Sequence, residues 1–209
     1  MKLHDVKIRI IFFLRFLLEF GFVEEKKVLS KEFGDFRGNI VDIGCGIGNF
    51  SSCFPHARYT GVDIDPNLID YAKRNYRGIF LARPGEETGL ETNSFKGVFT
   101  IGLFHHVDKK TVEAICREIQ RVVKPGGIIV VIEDDRPETG VRRMLFSLDA
   151  GGKFRAPDYF GNVFSRFFTI QKTYRIYPGF WRYTVFVMRT PRGSRLGAKS
   201  ENLRIPRTK

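Results

Sequence analysis

An apolar strand running straight into glycines at every second position constrains this chain more than any other feature. Asn39 to Ile43 reads as a short buried strand, and Gly44, Gly46 and Gly48 follow it. A backbone that reverses there needs φ > 0, which glycine adopts without steric cost. It also lets a ligand press on bare main chain, and N–H groups at the start of a following helix can meet a carboxylate. Asp63 closes a second strand 15 residues past Gly48, where its carboxylate can accept from both hydroxyls of a ribose.

The rest of the chain repeats this alternation of strand and helix. A Phe-rich helix is expected over 5–20 and a short one over about 23–33. Further strands are expected at 59–63, 79–82, 97–102 and 128–132. Asp65-Pro66 opens a helix as N-cap and first-turn proline, with Leu68, Tyr71, Ala72 and Tyr76 as its buried stripe. Asp108 opens the clearest helix. Val112, Ile115, Cys116, Ile119 and Val122 recur there at three- and four-residue steps, and Glu113 and Arg117 pair on its outer face. Lys124-Pro125-Gly126-Gly127 reads as its stop. Helices near 137–148 and over 157–166 follow, then a hairpin of strands 167–177 and 180–188 around Pro178-Gly179. In its second strand Trp181, Tyr183, Val185 and Val187 alternate with Arg182, Thr184, Phe186 and Met188. Strands alternating with helices imply an α/β fold with a parallel sheet and right-handed crossovers.

Composition narrows the class. A chain of 209 residues, 43% of them hydrophobic, suits one α/β domain, and 21 Phe predict an aromatic-rich core. Cys45, Cys53 and Cys116 lack metal-ligand spacing, so no metal is expected, and a reducing, cytoplasmic setting suits them better than a disulfide scaffold. The apolar run over 10–18, broken by Arg15, is too short to span a membrane. The net charge is +12, and beyond residue 190 Arg192, Arg195, Lys199, Arg204, Arg207 and Lys209 stand against Glu201 alone. That balance favours anionic partners. A solvated basic tail is the plainer reading, because no aromatic-interleaved RNA motif accompanies the charge. The expected division is an N-terminal helical cap over 1–36, a ligand-binding domain over 37–189 and a basic, disordered tail over 190–209. The sequence leaves the oligomeric state open.

A glycine turn with a downstream acid also suits a dinucleotide site. That fingerprint, G-x-G-x-x-G, requires glycine at position 49, where Asn49 stands. Four ordered segments point elsewhere: VDIGCGIG at 41–48, GVDIDPNLIDYAK at 61–73, NSFKGVFTIGLFHHV at 93–107 and VVKPGGIIVV at 122–131. Together they resemble the class I SAM-dependent methyltransferases, of the subgroup acting mostly on small molecules and lipids. The likeness runs from about residue 40 to 133 and is specific for the superfamily, not for the acceptor. It implies S-adenosylmethionine (SAM) as cofactor. It also implies a Rossmann-like three-layer α/β/α sandwich around a seven-stranded, mostly parallel sheet with an antiparallel last strand.

Carried across by position, the resemblance implies that Gly44, Gly46 and Gly48 line the methionine part of SAM. Cys45 sits between them as a small packing residue rather than a nucleophile. Asp42 would help hold the ammonium, Asp63 the ribose, and Ile64 would lie beside the adenine. Leu103 and Phe104 would wall the sulfonium end. One slot departs from the family: where Gly-Asp-Ala is common, this chain has Arg83-Pro84-Gly85. Pro84 cannot contact the adenine amino group through its side chain, so Glu86 is the nearest substitute.

Methyl transfer asks a protein mainly to position and desolvate the acceptor. Where the acceptor is a hydroxyl a general base helps, and His105 is the candidate; its plainer role, shared with His106, is to pin the turn before Asp108. One of Asp134 and Asp135 orients substrate, or the pair forms a solvated turn or helix cap. Residues 151–159, with Phe154, Arg155 and Tyr159, read equally as a lid or a connector. The N-terminal helix reads as a cap, with contact to an anionic membrane surface through Lys7, Arg9 and Arg15, or simple packing on the sheet, as the alternatives. Three functions stay open: methylation of a small-molecule or lipid-like acceptor, methylation of RNA or protein, and a non-catalytic SAM-binding scaffold. The charge prompts the second, although the chain has neither an Asn/Asp-Pro-Pro-aromatic motif nor a Pro-Cys nucleophile. Pro84 prompts the third.

Overall fold

A computed structural model of the chain describes residues 22–135, 155, 157–178 and 181–192. The helices expected over 5–20 and near 137–148, most of the segment 151–159 and the tail beyond 192 lie outside the described residues.

The first described helix, α1 (Val23–Phe33), buries Val28, Leu29 and Phe33 against the sheet and ends at Gly34, whose φ is +57°. Then come β1 (Gly38–Ile43), a 3₁₀ turn (Asn49–Cys53), β2 (Ala57–Asp63), α2 (Pro66–Asn75), β3 (Ile79–Ala82) and β4 (Phe95–Ile101). The chain continues through α3 (Lys109–Val122), β5 (Val123–Asp134), α4 (Pro157–Phe164), β6 (Thr169–Ile176) and β7 (Tyr183–Arg189). The sheet has seven strands in the order β3-β2-β1-β4-β5-β7-β6. The first five are parallel to one another, and β7 runs antiparallel to both β5 and β6. The Rossmann-like, mostly parallel sheet is therefore present, closed by the expected hairpin.

Local chemistry explains the helix starts. Asp65 caps α2 by accepting from the Asn67 N–H at 2.8 Å, and Pro66 takes the first helical position, where its missing N–H costs nothing. Asp108 caps α3 by accepting from the Thr111 N–H at 2.8 Å. The stripe of α3 faces the sheet as expected, with Val112, Ile115, Cys116, Ile119 and Val122 all buried.

Five local expectations need correction. The glycine turn leads into one 3₁₀ turn, not an α-helix. In α2 the deepest residues are Ile69 and Ala72, while Leu68, Tyr71 and Tyr76 are half-buried, because the short helix rolls Ile69 onto the sheet. Glu113 receives Arg166 from beyond α4 at 2.7 Å rather than pairing within its own helix. Lys124 to Gly127 do not separate α3 from a strand; they form the irregular start of β5. There Gly126 has φ +75° and Gly127 donates to the Thr190 hydroxyl at 3.0 Å. Finally, Tyr183 to Met188 are buried on both faces, because β7 is an interior strand between β5 and β6.

Each face of the sheet carries its own core, and both are rich in Phe. On one side Phe33, Phe54, Tyr59 and Phe99 pack with ring centroids 5.3–6.5 Å apart, beneath α1. On the other, Phe104, Phe160, Phe164 and Phe186 interlock between α3 and α4. Strand order reverses between β1 and β4, so the loops after these strands diverge and leave a crevice at their carboxyl ends. The glycine turn sits at that crevice.

Candidate active site at the carboxyl edge of the sheet

Four loops meet at this edge: residues 44–48 after β1, 64–65 after β2, 102–107 after β4 and 135 after β5. The glycine turn is bent as its composition demands, with φ +79° at Gly44, +52° at Gly46 and +78° at Gly48. The N–H groups of Gly44 and Cys45 both donate to Val62 O, at 2.8 and 3.0 Å, which ties the turn to β2. Asp63 completes the link. Its Oδ2 accepts from the Gly46 N–H at 2.8 Å and its Oδ1 from the Asp65 N–H at 3.0 Å. Burial raises the Asp63 pKa from its ordinary value, and these two backbone donors oppose that shift. The carboxylate is thus oriented beside the turn, with lone pairs left for a ligand's hydroxyls. Ile64, 74% exposed, stands next to it as an apolar surface.

The bare positions in the turn do not all serve a ligand. A Cβ on Gly48 would stand 2.6 Å from the Phe80 ring and 3.1 Å from Ala72, so that glycine lets β3 and α2 close against the turn. A Cβ on Gly44 would meet Leu103 at 3.0 Å, which puts Leu103 over the first bend. Cys45 is buried with its Sγ against Gly61, and burial pushes its thiol pKa up, which keeps it protonated and unreactive.

Asp42 lies one residue before the end of β1 and is buried. Tyr59 donates its hydroxyl to Asp42 Oδ2 at 2.6 Å. Burial lifts the Asp42 pKa to about 8; the Tyr59 bond lowers it and the neighbouring Asp63 raises it. The native state therefore keeps a proton that the unfolded chain gives up near its ordinary value of 3.8. The associated stability is complete below about pH 4, declines as pH rises toward about 8 and is lost above that. Thermal melts of wild type and Asp42→Asn between pH 4.5 and 8 check this. The wild type should lose melting temperature relative to the variant across the window, and parallel curves would contradict it.

The turn after β4 is held by a residue that sequence reasoning passed over. Glu133 is buried, and its Oε1 accepts from the N–H groups of Leu103 and Phe104 at 2.8 and 2.7 Å. Its Oε2 accepts from the His105 N–H at 3.2 Å and lies 3.0 Å from His105 Nδ1. From the other side Arg155 donates to Phe104 O and Val107 O at 3.2 and 2.9 Å. His105 is only 1% exposed, its ring centroid lies 4.0 Å from that of the tilted His106 ring, and Asp134 Oδ2 is 3.5 Å from its Nδ1. Asp134 and Asp135 are also buried, which rules out the solvated-turn reading.

The predicted site residues thus divide. Asp42, Gly44, Gly46, Asp63, Ile64 and Leu103 converge around the turn. Phe104 points away, fully buried against Phe160 and Phe164. Glu86 is exposed in the loop after β3, and Gly85 beside it is pressed against Ile43. Among the described residues no cluster of His, Cys, Asp and Glu could hold a metal ion, and no helix is long and apolar enough to cross a membrane.

A bent glycine backbone, an acid closing the second strand and a pinned turn after the fourth suit a ligand with an aminoacyl group and a ribose. Comparison with known proteins agrees: a methyltransferase domain model matches residues 41–131. Over that stretch, less than half of its length, the chain is similar to a methyltransferase domain. Demethylmenaquinone methyltransferase of Chlorobaculum tepidum is 29% identical over 147 residues, covering 64% of this chain and 59% of that protein. The chain thus spans less than two thirds of that relative's length. Among solved structures, the PH0226 protein of Pyrococcus horikoshii superposes with a TM-score of 0.68 at 19% identity, covering 86% of this chain and 91% of that one. Phosphoethanolamine N-methyltransferase 2 of Haemonchus contortus, solved with SAM, gives 0.66 at 16% identity, covering 83% and 53%. At these identities the structural matches bear on fold alone. The matched stretch contains the glycine turn, Asp63 and the turn after β4.

Proposed function

We propose that this chain transfers a methyl group from SAM to a small-molecule or lipid-like acceptor. The observation that carries the reading is the convergence of the bent turn 44–48, the Asp63 carboxylate and the Glu133-pinned turn on one crevice. SAM, when bound, supplies the electrophilic methyl. Gly44 and Gly46 present bare backbone to its methionine part, with Cys45 and Gly48 packed behind them. Asp63 accepts from the ribose hydroxyls, Ile64 covers the adenine, and Glu86 reaches its amino group from the loop after β3. Asp42, partnered by Tyr59, faces the ammonium. Leu103 walls the sulfonium with Phe104 supporting it from the core. The division into a cap over 1–36, a catalytic domain over 37–189 and a basic tail over 190–209 belongs to the same proposal, as does a cytoplasmic location.

His105 is the candidate general base, oriented by Glu133. Its imidazole would take up the proton that a hydroxyl acceptor gives up on methylation. The name of the C. tepidum relative supports a quinone-like acceptor class. The charge of +12 favours RNA or an acidic protein as the second reading.

The test is methyl transfer from labelled SAM into separate lipid, small-molecule and RNA extracts by wild type and His105→Ala. Label should enter the lipid or small-molecule fraction. The variant should turn over about 100-fold more slowly with unchanged S-adenosylhomocysteine (SAH) affinity. Label in RNA alone overturns the acceptor class, and unchanged turnover in the variant overturns the base.

A further inference from the structure

We propose that a cavity at the amino-terminal edge of the sheet is a second binding site, for a phosphate monoester carrying an aromatic group. The inference goes beyond the methyl-transfer reading and stands without it. The cavity has a volume of about 410 Å³ and lies between the end of α1 and the starts of β4 and β5. That volume falls in the range of small-ligand pockets. From Lys96 in its lining to Gly102 at the crevice, β4 runs about 20 Å, so the two sites lie at opposite ends of the strand.

The charges around the cavity are one-sided. Lys96, Lys124 and Arg189 line it, and a Cβ on Gly126, also in the lining, would meet Arg192 Nε at 3.2 Å. The side chains of Lys96, Lys124 and Arg192 make no ion pair or hydrogen bond among the described residues. Arg189 donates from Nη1 to Gly126 O at 2.9 Å and from Nε to Gln171 Oε1 at 3.3 Å, both uncharged acceptors. The two acids at the end of α1 are already engaged. Glu32 has Lys172 Nζ 2.8 Å from its Oε2 and accepts the Tyr174 hydroxyl at 2.8 Å on Oε1. Asp35 accepts from Arg37 Nη2 at 2.9 Å. Beyond Arg192 the sequence has Arg195, Lys199, Arg204, Arg207 and Lys209 against Glu201, so that segment adds charge of the same sign. A phosphate monoester, with nearly two negative charges at neutral pH, offsets this excess.

The rest of the lining is apolar and aromatic. Phe33 and Phe36 meet edge to face with ring centroids 5.4 Å apart, and Pro125 and Ile128 stand with them. Gly97 makes room for the pair, since a Cβ there would lie 2.9 Å from Phe33 and 3.0 Å from Phe36. Phe36 is half-buried, which leaves part of its ring for a ligand. An aryl group against Phe36 and a phosphate among the lysines and arginines use both halves of the cavity. A bilayer surface or a nucleic-acid backbone would use the charge and leave the rings idle, so the lining favours the small ester.

The test titrates the full chain with phenyl phosphate and with inorganic phosphate by calorimetry. The proteins are wild type, Lys124→Ala, the double variant Lys96→Ala/Lys124→Ala, and Lys73→Ala on α2 as a control for bulk charge. Phenyl phosphate should bind wild type saturably, more weakly as salt rises, and at least about threefold more tightly than inorganic phosphate. The double variant should bind it at least about tenfold more weakly, K124A at least about threefold more weakly, and K73A as wild type does. Saturating SAH should leave the affinity unchanged. The proposal is overturned if wild type shows no saturable binding, if inorganic phosphate binds as tightly as the ester, if K73A weakens binding as much as K124A, or if SAH displaces the ester. Should the double variant lose melting temperature, K124A decides alone, and unchanged affinity there overturns the site. Binding to phosphatidylglycerol vesicles or RNA that the double variant loses, with no binding of phenyl phosphate, overturns it too, since this edge would then be a charged docking surface.

Discussion

Glu133→Ala is expected to destabilise the protein by about 4 kcal/mol. The side chain accepts three backbone N–H groups and faces the His105 ring, all in the core. Its removal leaves those donors buried without an acceptor, and each such loss costs about 1–3 kcal/mol. For a chain of this size the drop corresponds to roughly 8–16 °C in melting temperature. Glu133→Gln should recover part of it. An amide oxygen can still serve Leu103 and Phe104, while its NH₂ must face the His105 N–H and ring. Thermal and urea denaturation of both variants gives the comparison. An alanine variant melting within about 2 °C of wild type would show that the turn after β4 is held by something else.

The second large effect falls on ligand affinity. Asp63→Ala should weaken SAH binding by about 100-fold, or about 3 kcal/mol, while the protein stays folded. The carboxylate joins two tasks. It fixes Gly46 and Asp65 through their N–H groups, and it offers its remaining lone pairs to the ribose. Asp63→Asn should fall between, because the amide keeps one acceptor and turns a donor toward the N–H of Gly46 or Asp65. Titration of SAH into the three proteins measures the series. Equal affinity in wild type and D63A would remove Asp63 from the site.

Much of the fold could be read from the residues, because strand and helix periods and the caps at Asp65 and Asp108 are local signals. The parallel sheet follows from the alternation. Glycine positions were legible too, but not all of their reasons. Gly48 is required by the Phe80 ring, which arrives from a strand over 30 residues later, and no local pattern announces that contact. Glu133 was hidden in the same way. It reads as the first of three acids, yet it accepts from three backbone N–H groups of the turn 103–105, nearly 30 residues earlier. One signal was present: a carboxylate ending a fully apolar strand must find donors, and the turn after the neighbouring strand is the nearest supply. The two-faced burial of β7 was missed because an alternating pattern suits an edge strand, and only the sheet order shows that β7 is interior. Phe104 adjoins Leu103 in sequence, which suggests pocket lining, but Leu103 meets the glycine turn at Gly44 while Phe104 is buried against Phe160 and Phe164.

The central claim is that the bend at 44–48 and the acid at 63 hold an aminoacyl ribonucleoside rather than a dinucleotide. Calorimetry of the purified chain against SAH and against NAD tests it most directly. The account predicts a saturable one-to-one signal with SAH and none with NAD; heat from NAD with silence from SAH would contradict it.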